Sequence, residues 1–103
     1  MDPQRILTPA ETADVLAGTA FTHAGDRLDG AYATADFASA VRVLDAVAVV
    51  ADELDHHPDV RVGWGAIAFE LRSHDAGGVT ARDVELATRI QAIADEQGAR
   101  RRD

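Results

Sequence analysis

Four histidines are spread over 103 residues, and two of them are adjacent. His56 and His57 lie in the stretch DELDHHP, with Pro58 directly after them. Imidazole titrates near neutrality, so paired rings suit a reaction that must give one proton and take another. Proline forbids helix at its own position and pushes the preceding residue toward an extended conformation. A helix that runs up to the pair is therefore expected to end there, with His56 near its last turn and His57 just beyond. Adjacent residues on a continuous helix point about 100° apart, so a break between the two would let both rings face one pocket. The free carbonyls of a helix C-terminus favour positive charge, and the nearby Asp52 and Asp55 act in the same direction.

His74 follows an alternating apolar stretch and opens the glycine-containing run HDAGGV, where functional groups often sit. Three histidines could also hold zinc, but adjacent histidines suit one metal poorly and the chain has no cysteine, so no metal is expected. Each residue also has a plainer use. His56 could satisfy terminal carbonyls, His74 could be a loop residue, and Asp52 could be a surface acid. Asp83 sits at the capping-box position after Thr80, and Trp64 could be core or a turn anchor. His23 has no partner nearby in sequence.

The elements that must position these groups follow from local patterns. LTPAETADVLAG has Thr8 as cap, Pro9 at the first helical position, Glu11 completing a capping box and Gly18 as a stop. FTHAGDRLDGAYATA reads as two strands around Gly25-Asp26, with Leu28 and Tyr32 on one face. Between Phe37 and Ala51 only Ser39, Arg42 and Asp45 are polar. A helix apolar nearly all round is buried on more than one side, so its second side is expected to meet another subunit. A charge at Val47 or Val50 is then expected to lower the oligomeric state. DVRVGWGAIAFELRS reads as a hairpin turning at Gly63–Gly65, with Val60, Val62 and Trp64 alternating, then Ile67, Phe69 and Leu71. TARDVELATRIQAIADEQG is a last helix from Thr80 to Gly98, with Val84, Ala87, Ile90 and Ala94 inward. The expected fold is α+β: one domain over residues 1–103, in two layers. It has a four-stranded antiparallel sheet with three helices on one face, in the order α-β-β-α-β-β-α.

Composition narrows the function classes. The net charge is -8, against nucleic acid as a partner. All ten basic residues are arginine, and the only cluster, Arg100 to Arg102, reads as a frayed tail. The stretch MDPQRILTPAE lacks the features of a signal peptide, and no apolar run suits a membrane span. A cytoplasmic protein is expected.

The run from Asp52 to Asp83 resembles the pterin-4a-carbinolamine dehydratase family, also called 4a-hydroxytetrahydrobiopterin dehydratases. The family pattern is an acid, three residues, His-His-Pro, five residues, an aromatic, nine residues, a histidine, eight residues and an aspartate. In this chain those positions are Asp52, His56-His57-Pro58, Trp64, His74 and Asp83. GGVTARDVELATRI is similar to the family's last loop and helix, and LTPAE and DFASAV match more loosely. Three positions depart from common family residues: Val60 replaces a tryptophan, Trp64 stands for tyrosine or phenylalanine, and Phe21 occupies another tryptophan position.

The resemblance implies a fold like the one read above, dimers or tetramers built through the long helix and sheet, and neither metal nor organic cofactor. It implies a lyase that removes water from a 4a-hydroxytetrahydropterin to give the quinonoid dihydropterin, recycling the pterin of aromatic amino acid hydroxylases. His56, His57 and His74 would be catalytic, with Asp52, Asp55, Pro58, Trp64 and Asp83 in support. The alternative is a non-catalytic dimerisation or assembly factor that uses the helical surface.

Overall fold

The structure, a computed structural model, describes residue 2 and residues 4–102; residues 1, 3 and 103, at the ends of the expected domain, lie outside the described residues. The elements are α1 (Pro9–Leu16), β1 (Thr22–Ala24), β2 (Arg27–Ala33), α2 (Phe37–Leu54), β3 (Asp59–Gly63), β4 (Ala66–Leu71), α3 (Ala81–Gln97) and β5 (Arg100–Arg101). The sheet is antiparallel throughout, in the order β1-β2-β4-β3. The alternating strands bury one face under the helices, as an α+β two-layer fold requires.

A two-residue fifth strand adds to the expected four-stranded sheet and corrects the expectation of a frayed tail. β4 takes one edge of β2, while β1 covers only residues 27–29 of the other. The rest of that edge is free, and Arg100 and Arg101 pair there with Ala33 and Tyr32. Unpaired ladder groups are what decide this, since the arginines carry no strand pattern of their own.

Capping sets the helix starts. The Thr8 hydroxyl accepts from the Glu11 amide, and the Glu11 carboxylate accepts from the Thr8 amide at 2.9 Å. Thr80 and Asp83 make the equivalent box on α3. Asp36 caps α2 by accepting from the Ser39 amide at 2.8 Å.

The core joins Leu28, Tyr32, Ile67 and Phe69 of the sheet to Val43, Val47, Leu86 and Ile90 of the helices. Phe21, Tyr32 and Phe69 pack edge to face or tilted, with centroids 6.2–6.4 Å apart. Phe21 explains Gly30: a Cβ there would lie 2.7 Å from the Phe21 ring, so only glycine admits it.

α2 buries Ala40, Val43, Val47, Val50 and Ala51 and leaves Phe37 and Val49 more than half exposed. The helix thus leaves these two large apolar residues uncovered, about 120° apart and on the arc that also carries the exposed Asp45 and Arg42, rather than a continuous apolar side. Val47 and Val50 face the chain's own core, so they are the wrong positions at which to test a subunit contact. None of the helices among the described residues is long and apolar enough to cross a membrane.

Candidate active site

The antiparallel register of β3 with β4 pairs Asp59 with Glu70. The chain entering β3 and the chain leaving β4 therefore lie at one end of the sheet. His57 comes two residues before β3, and His74 comes three after β4. The C-terminus of α2 and the N-terminus of α3 meet at the same end.

α2 stops one residue earlier than its histidines suggest. Asp55 takes the left-handed conformation at φ 49°, and the His56 amide donates back to the Ala51 carbonyl at 3.0 Å. This is the six-to-one closure of a helix end, usually given to glycine, and aspartate is among the few other residues that tolerate it. The helix break thus falls before His56 rather than between the two histidines. Asp55 is the cap itself, and Pro58 leads the extended chain into β3.

The two rings consequently part. His56 is buried, and its Nε2 lies 2.6 Å from Oδ1 of Asp83, 27 residues further along the chain. His57 is exposed, and its Nε2 lies 2.8 Å from Oδ1 of Asp52. His–carboxylate bonds of this kind fix the ring orientation and leave Nδ1 as the nitrogen free for other work.

Asp83 is fully buried and well satisfied. Its Oδ2 accepts from the Ser73 hydroxyl at 2.8 Å and from the Thr80 amide at 2.9 Å, while Oδ1 meets His56. Ser73 and Thr80 hydroxyls lie 2.8 Å apart. A buried carboxylate without such partners would carry a large desolvation cost. Asp83 therefore does two jobs, capping α3 and holding His56.

His74 is exposed and opens a tight loop. The Ser73 carbonyl accepts from the amides of Ala76 and Gly77, and the Ser73 amide donates to the Gly78 carbonyl at 2.9 Å. Arg82 donates to Asp75 at 2.8 Å across the same loop, and this contact holds the Asp75 carboxyl below the usual carboxylate range. Ser73 is a residue that sequence reasoning missed. It ties the His74 loop to the carboxylate of His56, and only its place beside His74 hinted at such a role.

Trp64 stands apart from this cluster. It sits in the β3–β4 turn, at the opposite end of β3 from His57, and is 79% exposed. His23 is also separate, with Nδ1 at 2.9 Å from the Thr12 hydroxyl. Among the described residues no group of three potential ligands is placed to hold a metal ion.

A family model described as pterin 4 alpha carbinolamine dehydratase matches residues 5–93, from before α1 to within α3. The chain belongs to this pterin 4 alpha carbinolamine dehydratase family. A relative from Nocardia farcinica, provisionally named a pterin-4-alpha-carbinolamine dehydratase, is 36% identical over 72% of this chain and 78% of its own length. A relative from a Roseiflexus species with the same provisional name is 35% identical over 84% of this chain and 95% of its own. Among solved structures, a transcriptional coactivator/pterin dehydratase from Brucella melitensis superposes with a TM-score of 0.80 at 26% identity, covering 87% of this chain and 99% of that one. A pterin dehydratase-like protein described as a RuBisCO assembly factor of the alpha-carboxysome matches with a TM-score of 0.62 at 23% identity, over 73% of this chain and 89% of that one. At that identity the likeness concerns the fold alone. The pterin carbinolamine dehydratase fold thus holds Asp52, His56, His57, His74 and Asp83 at one end of this sheet.

Proposed function

We propose that this chain is a 4a-hydroxytetrahydropterin dehydratase that works by histidine acid–base catalysis. Family membership supplies the substrate class. The observation that carries the mechanism is the pair of imidazole–carboxylate contacts, His56–Asp83 and His57–Asp52, at the sheet end that also bears His74.

The reaction breaks the C4a–O bond and removes the proton on N5. The hydroxyl leaves as water after taking a proton from an acid, and the N5 electron pair closes the C4a=N5 bond of the quinonoid dihydropterin. The step needs no oxidant and no metal electron sink, only one proton donor and one acceptor on suitable sides of the ring. His57 and His74 are the exposed histidines of the cluster and serve as this acid–base pair. Asp52 orients His57 and offsets charge as the ring takes a proton. His56, buried and held by Asp83, fixes the surface against which the pterin ring rests. Positioned proton transfer of this kind contributes about 10²- to 10⁴-fold to rate.

The deciding experiment is stopped-flow absorbance of 4a-carbinolamine decay, with the substrate generated by a pterin-dependent hydroxylase. Wild-type protein should accelerate the decay. His57→Ala and His74→Ala should each lose about 10²-fold or more while keeping the wild-type circular dichroism spectrum. No acceleration by pure wild-type protein would overturn the reading.

A second reading has its own observation. Phe37 and Val49 are uncovered apolar residues of α2, on the arc that also carries Asp45 and Arg42, which suits a homo-oligomer or an assembly role through that helix. The two roles use different surfaces of the fold and are compatible.

A further inference from the structure

The sheet has a second face, turned away from all three helices, and its composition is unusual. In β2, Leu28 and Tyr32 point inward, so Arg27, Asp29, Ala31 and Ala33 point outward. By the same alternation Ala66, Ala68 and Glu70 of β4 and Asp59, Arg61 and Gly63 of β3 are outward. Directly paired residues share a face, and the register therefore arranges these positions in rows.

One row runs Arg61, Ala68, Ala31 across three strands and continues to Arg102, whose amide donates to the Ala31 carbonyl at 2.9 Å. The next row runs Gly63, Ala66, Ala33, Arg100. The middle of the face is thus a floor of four alanines and a glycine, fenced by guanidinium groups on both sides. A shallow depression of about 860 Å³ on this face is lined by Ala31 and Ala68 of the floor, by Arg27, Arg61 and Arg102, and by the carboxylates Asp29, Asp59 and Glu70.

Two features of this floor call for an occupant. Alanine and glycine are poor strand residues, and a solvated strand face is normally built from larger polar or β-branched side chains. Small residues at this density let another backbone approach the sheet closely. The pairing of charges is also uneven. On the strands the face presents three arginines, Arg27, Arg61 and Arg100, and three acids, Asp29, Asp59 and Glu70, with Arg72 and Arg102 just past the strand ends. Two of those acids are already engaged: Arg27 pairs with Asp29 at 3.0 Å, and Arg72 pairs with Glu70. Arg61, Arg100 and Arg102, which border the alanine floor, make no ion pair among the described residues. Unpaired guanidinium groups therefore border the floor on a chain of net charge -8, and Asp59 is the strand acid of this face that makes no ion pair among the described residues.

We infer that this face is a docking surface for an acidic polypeptide segment of a partner protein. Its small apolar residues would rest on the alanine floor, and its carboxylates would meet Arg61 on one side and Arg100 and Arg102 on the other. Strands lie about 4.8 Å apart, which sets the two fences roughly 14 Å from each other, the span of about four extended residues. A longer polyanion such as a nucleic acid would extend past the plateau onto the acidic remainder of the molecule and be repelled. A short acidic segment would stay within the plateau, where the local guanidinium groups offset that repulsion. The proposal concerns a face separate from the histidine cluster and does not depend on the dehydratase reading.

The test uses the full chain and a fluorescein-labelled peptide of about twelve residues that alternates glutamate with alanine. Saturable binding is expected, with amide shifts in a ¹⁵N spectrum centred on Ala31, Ala33, Ala66 and Ala68. The glutamine-for-glutamate peptide should not bind. Arg61→Glu should weaken binding by about tenfold, and Arg89→Glu, the same charge change on α3, should leave it near wild type. The proposal is overturned by absence of saturable binding, by equal losses in the two variants, or by shifts elsewhere in the chain. Tighter binding of an oligodeoxythymidine on the same residues would also overturn it. So would a solution mass that falls in Arg61→Glu, because a second copy would then be the occupant.

Discussion

Asp83 and Asp52 each bond a histidine Nε2, one from full burial and the other from the surface. Replacing either carboxylate with an amide should therefore have different consequences. In Asp83→Asn the side chain brings an NH₂ into a site where the Ser73 hydroxyl and the Thr80 amide already donate to Oδ2 and His56 faces Oδ1. The amide oxygen can still accept from Ser73 and Thr80, but the NH₂ then meets Nε2 of His56. His56 must give up its Nε2 proton or face another donor, and the bond to a carboxylate is lost either way, at a cost of about 1–3 kcal/mol. The urea midpoint of Asp83→Asn should fall clearly, and that of Asp52→Asn should stay at the wild-type value while its dehydratase rate drops. Equal midpoints in the two variants would show that the buried network is not what holds this end of the sheet. Much of this site was readable from residue types: the His-His-Pro run, His74 and the Thr80–Asp83 box all belong to one region. The bond between His56 and Asp83 was not, because it spans 27 residues and depends on which way the chain turns after α2. That turn rests on Asp55 adopting a conformation that aspartate tolerates but does not advertise.

Among the elements, those with local chemistry were legible and those decided by a neighbour were not. Thr8–Glu11 and Thr80–Asp83 announce their helices, and the alternation of Ile67, Phe69 and Leu71 announces β4. β5 depends on an unfilled stretch of β2, which no property of Arg100 or Arg101 reveals. The apolar excess of α2 was legible as an amount, but its division between core and surface required the structure. Val47 and Val50 are core residues, so a charge there should unfold the chain rather than dissociate it. Val49 is 59% exposed and lies on the uncovered arc. If that arc is a subunit contact, Val49→Asp should lower the mass measured by light scattering while the thermal transition of the remaining species stays cooperative. The gain from burying an apolar side chain of this kind, about 1.5–3 kcal/mol, would be lost per subunit, with an uncompensated charge added. An unchanged mass would remove α2 from the interface.

At the scale of the whole molecule, two carboxylates at helix starts and one in the loop before α3 also set how the fold responds to acid. Glu11 is held below its ordinary range by the Thr8 amide, Asp36 by Ser39, and Asp75 by the Arg82 guanidinium. Each of these groups has a lower pKa folded than unfolded. Their contribution is complete above the unfolded values, near 4.5 for Glu11 and 3.8 for the two aspartates, and is lost as pH falls through the folded ones. A second effect runs the other way, because protonating acids on a chain of net charge -8 relieves self-repulsion. The two can be separated by salt, since long-range repulsion is screened while a capping hydrogen bond is not. In roughly 0.5 M salt, the interval between about pH 5 and pH 3.5 spans the ordinary carboxylate range. The urea midpoint should fall over that interval in the wild type. The triple variant Glu11→Gln, Asp36→Asn, Asp75→Asn should start lower and change less. If the variant instead loses as much as the wild type, the acid sensitivity belongs to other carboxylates, and the helix starts are held by their neutral partners.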